Sequence, residues 1–171
     1  MLITKWKLRV DNANPYLQKG MTIDAQVPGD ITMDLHRSGI IPDPYFGLNH
    51  NDTRWIPEQD FTYTAEFDTD EEVLSQEEVL LIFDSVDLFS EIYLNGNLLG
   101  KTENMFLQYT FEVKELLQRS NNVLQVKMKS TTKVADKINC DGYIGIFNLP
   151  RMFLRKAQCH FGWDWAPNMP G

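Results

Sequence analysis

Cysteine and histidine are scarce in this chain, with two and three respectively among 171 residues. Cys140 and Cys159 cannot build a disulfide framework, and both are expected to be reduced. His36, His50 and His160 stand far apart with no Cys or carboxylate at ligand spacing, so neither a metal nor a cofactor is expected. Long apolar runs are missing as well. The longest, at 79–83, falls far short of the roughly 20 residues of a membrane span. The start, Met1-Leu2-Ile3-Thr4-Lys5, has no signal-type apolar stretch, and the expectation is a cytoplasmic chain with no membrane partner. Basic excess is lacking too: 16 Lys and Arg face 24 Asp and Glu, and residues 55–100 hold twelve acids and no base. Nucleic acid is therefore excluded as an expected partner. No Gly-rich phosphate loop and no Gly-x-Ser-x-Gly elbow occurs, and no nucleophile has an evident base.

What is present is the balance of a soluble chain with a real core, 43% apolar and 23% charged, at the length of one ordinary domain. Its period is mostly two. Phe61, Tyr63, Ala65 and Phe67 alternate with Thr62, Thr64 and Glu66, the pattern of a strand with one buried face. Residues 79–83 are apolar on both faces and predict a central strand. Asn95-Gly96, between Ile92, Leu94 and Leu98-Leu99, predicts a hairpin turn, because both residues tolerate positive φ. Leu124, Val126 and Met128 alternate with Gln125, Lys127 and Lys129, which gives another half-buried strand.

Two stretches depart from this period. Residues 30–39 place Ile31 and Leu35 at helical spacing behind Asp30 and before Gly39, a short capped helix. Residues 111–118 predict one further turn of helix. Neither is long enough for a parallel crossover architecture. The fold class is therefore all-β, an antiparallel β-sandwich with one or two short helices. Residues 40–60 form a long excursion rich in Pro, Gly, Asn and Asp that must be pinned by its own aromatics or by a neighbour.

The last thirty residues change character. Between 143 and 165 six aromatics, Tyr143, Phe147, Phe153, Phe161, Trp163 and Trp165, interleave with Arg151, Arg155, Lys156, His160 and Asp164. A hexose presents apolar C–H faces that an indole covers and a rim of hydroxyls that a carboxylate accepts in pairs, so one Asp between two Trp suits a sugar. The alternative is that Trp163 and Trp165 only pack and Asp164 caps a turn. Asp84, Asp87 and the pairs Glu71-Glu72 and Glu77-Glu78 do not by themselves make a glycosidase, which needs two carboxyls about 5 to 10 Å apart across a cleft with one pKa raised. Taken alone, these residues suggest recognition and no catalytic residue within the segment.

With Asn49, Trp55, Asp87, Phe89 and Leu99-Gly100 as shorter matches, Val27-Pro28-Gly29-Asp30, Gly39-Ile40-Ile41-Pro42-Asp43-Pro44-Tyr45-Phe46-Gly47, Glu91-Ile92-Tyr93-Leu94-Asn95-Gly96, Asn104-Met105-Phe106, Arg155-Lys156-Ala157-Gln158 and His160-Phe161-Gly162-Trp163-Asp164-Trp165-Ala166-Pro167 together resemble the amino-terminal domain of the β-mannosidase branch of glycoside hydrolase family two. The first and third motifs are shared with family-two β-galactosidases and β-glucuronidases, while the last two are specific to the branch. The resemblance implies a jelly-roll sandwich of the galactose-binding type over residues 1–171. It also implies an immunoglobulin-like domain and a (β/α)₈ barrel beyond Gly171, the barrel carrying both catalytic glutamates and retaining anomeric configuration. On that resemblance Asp164 binds a β-mannoside or manno-oligosaccharide, Trp163 and Trp165 wall the pocket, Arg155 and His160 support it, and the downstream barrel is the protein partner. An autonomous carbohydrate-binding module, another family-two glycosidase and a purely structural domain remain as alternatives.

Overall fold

The computed structural model describes residues 1–144, 149–162 and 169. Eight strands are defined among them: β1 (Trp6–Val10), β2 (Thr22–Ala25), β3 (Phe61–Phe67), β4 (Leu80–Phe83), β5 (Ser90–Leu94), β6 (Asn97–Thr102), β7 (Tyr109–Glu112) and β8 (Asn122–Met128). Three short helices accompany them: α1 (Ile31–Arg37), α2 (Glu71–Leu74) and α3 (Thr131–Ala135). The strands form a six-stranded sheet in the order β2-β1-β3-β8-β5-β6 and a two-stranded sheet, β4-β7. All ladder pairs are antiparallel.

The period of two reads directly as layers. In the large sheet Trp6, Ala65, Leu124 and Leu94 lie in one cross-strand row, and Leu8, Tyr63, Val126 and Ile92 in the next. Both rows face inward. The first packs against Leu81, Phe83, Tyr109 and Phe111 of the small sheet. Leu8, Val10 and Phe61 instead meet Leu35 of α1 together with Ile41 and Ile56 from the long excursion. Slipping any of these strands by one residue would turn its buried set to water, which is why the register is so firmly specified.

Local chemistry accounts for the turns. Asp30 caps α1 by accepting from the Met33 amide at 2.9 Å, and Gly39 follows the helix with φ +70°. Asn95 and Gly96 adopt φ 50° and 82°, the two positive values that a tight hairpin turn requires. Gly29 serves close approach, since a Cβ there would collide with the Gln26 carbonyl oxygen. The excursion at 40–60 is pinned as its composition predicts. Ile41 and Ile56 are buried, Trp55 stacks on Tyr16 at 5.1 Å between centroids, and two 3-10 turns, Asn49–Thr53 and Ile56–Glu58, satisfy its backbone. The helical turn predicted at 111–118 is a 3-10 turn at Lys114–Leu116, preceded by β7.

One strand sits where its composition does not point. The run at 79–83 reads as central, yet β4 pairs only with β7 and leaves Leu80 and Ile82 about half exposed, while Leu81 and Phe83 face the core. The small sheet has no layer on its outer side among the described residues, so apolar residues on both faces of this strand do not mean two buried faces.

The buried carboxylate Asp34 ties three elements together. It accepts from the Gln26 amide at 3.0 Å, from Arg37 at 2.5 Å and from the Tyr63 hydroxyl at 3.2 Å. Burial, and then the negative charge of Asp34, push the Tyr63 phenol far above its ordinary range.

Candidate functional site

Described residues of the segment after α3 share a small core with the β4–β5 and β6–β7 connections. Leu88, Ala135, Leu154 and Phe161 are buried together, with Phe89, Met105 and Ile138 against them. Residues 86–88 divide between the two cores: Val86 enters the main one and Leu88 the small one. The side chain between them, Asp87, meets the incoming segment.

That segment is stitched to the β6–β7 connection through the backbone. Asn104 and Arg155 form a parallel bridge, and the Met105 amide donates to the Arg155 carbonyl at 3.0 Å. The Met105 carbonyl accepts from the Ser85 hydroxyl at 2.6 Å. Tyr109 closes the connection by donating to the Asn104 carbonyl at 3.0 Å while accepting the amides of Glu103 and Asn104. Two motifs far apart in the chain thus become one structure, with Asn104-Met105-Phe106 forming the edge on which Arg155-Lys156-Ala157-Gln158 lies.

The electrostatic centre is Lys156, whose side chain is 1% exposed and whose Nζ donates to Asp87 Oδ2. Burial pulls the ammonium pKa below its usual value, and the adjacent carboxylate opposes that pull. His160 brings Nδ1 to 3.3 Å from the same oxygen, at ion-pair distance but outside hydrogen-bond alignment. Asp87 Oδ1 is buried and has no hydrogen-bond partner among the described residues. His160 belongs to a 3-10 turn, Gln158–Phe161, whose last residue is buried in the small core. Beyond it, the Met169 amide donates to the His160 carbonyl at 3.2 Å.

Two sequence-predicted site residues fall among these. His160 faces Asp87 with its side chain and accepts the Met169 amide on its carbonyl. Arg155 contributes its backbone to the bridge, while its exposed side chain borders a cleft of about 740 Å³ with Phe89, Tyr109 and Phe153. Trp163, Asp164 and Trp165 lie outside the described residues. Glu71, Glu72, Glu77 and Glu78 are exposed, as their polar setting predicts. Sequence reading missed the Asp87 to Lys156 pair. Both residues stand among the positions that carry the family resemblance, and Asp87 is in addition a charge lodged between the apolar Val86 and Leu88, but neither signal pairs the two. Among the described residues no three His, Cys, Asp or Glu side chains converge as a metal site would require, and no helix is long and apolar enough to cross a membrane.

Comparison with known proteins places this geometry. A family profile described as glycosyl hydrolase 2 galactose-binding domain-like matches residues 6–171. The chain is 38% identical over 162 residues to a probable β-mannosidase of Caenorhabditis elegans, covering 84% of this chain and 17% of that protein. It is 34% identical over 176 residues to the β-mannosidase of Mus musculus, covering 95% and 19%. The crystal structure of a β-D-mannosidase from Dictyoglomus thermophilum superposes with a TM-score of 0.89 at 37% identity, over 99% of this chain and 20% of that one. The chain thus spans about a fifth of the length of each.

Proposed function

This chain belongs to the glycosyl hydrolase 2 galactose-binding domain-like family, and we propose that it is the sandwich domain of a β-mannosidase, which completes the pocket for a terminal non-reducing β-D-mannose residue. In this reading the substrate is a β-mannoside or manno-oligosaccharide. Hydrolysis belongs to a (β/α)₈ barrel of the parent protein, where two glutamates act as acid/base and nucleophile. The sandwich supplies no catalytic residue. Asp164 accepts hydroxyls of the terminal sugar, and Trp163 and Trp165 cover its apolar faces.

One observation carries this reading: the chain is fastened just before and just after residues 163–168. Phe161 is buried in the small core, His160 faces Asp87, and Met169 returns to the His160 carbonyl. A carboxylate that must select among hydroxyls needs such fixed ends, since discrimination depends on a buried acceptor left unpaired by the wrong sugar. The 37% identity to a β-D-mannosidase across nearly the whole chain supports the choice of sugar.

The test is Asp164→Ala in the full-length parent protein. It should lower kcat/KM on a β-mannoside at least about a hundredfold, the scale expected when a charge-assisted hydrogen bond to the reacting sugar is removed. A loss under about threefold overturns the assignment of Asp164.

A further inference from the structure

We propose that Asp87 is a positioning residue for the sugar pocket: through Lys156 and His160 it holds the entry and exit of residues 163–168. The inference deepens the reading of Asp164 as a substrate ligand and rests on it.

Asp87 is placed to do this by its neighbours. Val86 and Leu88, each buried in a different core, clamp the backbone on both sides, so the carboxylate has little freedom to follow a moving partner. Its Oδ2 takes the Lys156 ammonium and faces His160 Nδ1. Lys156 stands two residues before the Gln158–Phe161 turn and His160 lies within it, so one carboxylate meets the chain both ahead of and inside the turn that leads to Gly162. The Met169 amide on the His160 carbonyl extends the same hold to the chain beyond 168.

The energetics favour a locating role over a stabilising one. Lys156 is buried while Asp87 is partly exposed; the ammonium gives up so much hydration that the pair's net stabilisation is small, whereas removing the carboxylate leaves a buried charge uncompensated. Such a pair tolerates little displacement. That is the property a ligand-bearing segment needs from the residues flanking it, because a shift of about 1 Å at a binding group is enough to cost up to about a hundredfold in rate.

The test uses the full-length protein carrying Asp87→Asn and, separately, His160→Gln. The second changes a partly exposed side chain and keeps the question open should the first fail to fold. Amide hydrogen exchange followed by mass spectrometry should quicken at least about tenfold for peptides covering 157–169, with peptides from β3, β5 and β8 unchanged. Unchanged exchange at 157–169 in the folded variants overturns the proposal whatever Asp164 does. Kinetics on a nitrophenyl β-mannoside form the second arm. Asp87→Asn should lower kcat/KM by about ten- to a hundredfold in the parent background and by less than about twofold alongside Asp164→Ala, because its effect passes through that residue. An equal loss in both backgrounds also overturns it. Faster exchange at 157–169 with Asp164→Ala fully active supports the positioning role and refutes Asp164 as the ligand, so the two failures separate.

Discussion

Asp34→Ala tests how much of this domain hangs on one carboxylate without surface. Asp34 is 0% exposed and accepts from Gln26, Arg37 and Tyr63, which belong to the turn after β2, to α1 and to β3. Arg37 is 43% exposed and can turn to water, so its loss is discounted to near zero. The Gln26 amide and the Tyr63 hydroxyl are partly covered; at about 1.5 kcal/mol each, the low end for bonds to a charged acceptor, they sum to about 3 kcal/mol. For a chain of this size that corresponds to a fall in Tm of roughly 6 to 12 °C. Asp34→Asn should cost less, since its amide oxygen still accepts from Gln26. The assay is thermal and urea unfolding followed by circular dichroism, with Tyr63→Phe and the double variant completing a cycle. A Tm within about 2 °C of the parent for Asp34→Ala, or strict additivity with Tyr63→Phe, would refute the view that this network couples the three elements.

Two further outcomes follow from the packing. A Cβ at Gly100 would stand 2.7 Å from Phe111 Cε1, across the gap between the sheets. Gly100→Ala should therefore destabilise by about 1 to 3 kcal/mol in urea unfolding, and Phe111→Leu should recover part of that loss; a neutral Gly100→Ala would show that the sheets have room. The raised Tyr63 phenol gives an alkaline limb. Its proton is held by both states below about pH 10, so it adds no slope there. Above that the unfolded phenol ionises while the folded one does not, and stability should fall by up to about 1.4 kcal/mol per pH unit. Tyr63→Phe should flatten that slope in urea midpoints between about pH 9 and 11, and an unchanged slope would assign it to other groups.

Much of the frame is legible in the sequence because its signals are local. Phe61 to Phe67 and Leu124 to Met128 alternate and form β3 and β8. Asn95-Gly96 turns because those two residues accept positive φ more readily than others, and Asp30 caps α1 with its own side chain. β1 and β2 are harder to read although Trp6, Leu8 and Val10 alternate cleanly, because five and four residues give a short signal. The site is legible by composition and resemblance only. Trp163-Asp164-Trp165 stands out as a string of residues, while Asp87 enters only as a single matching position within an acidic stretch, with nothing to pair it with Lys156.

By itself the chain determined its longer alternating strands, its hairpin turn and helix cap, and the chemistry gathered near residue 164, because dihedral preference, capping and side-chain alternation are properties of residues within a few positions of one another. Only tertiary structure decided that 80–83 leaves the main sheet to pair with β7, and that Asp87 meets Lys156 across 69 positions. Pairing between distant segments depends on which faces find cover and which charges lose water together. Those quantities do not exist until the whole chain has packed.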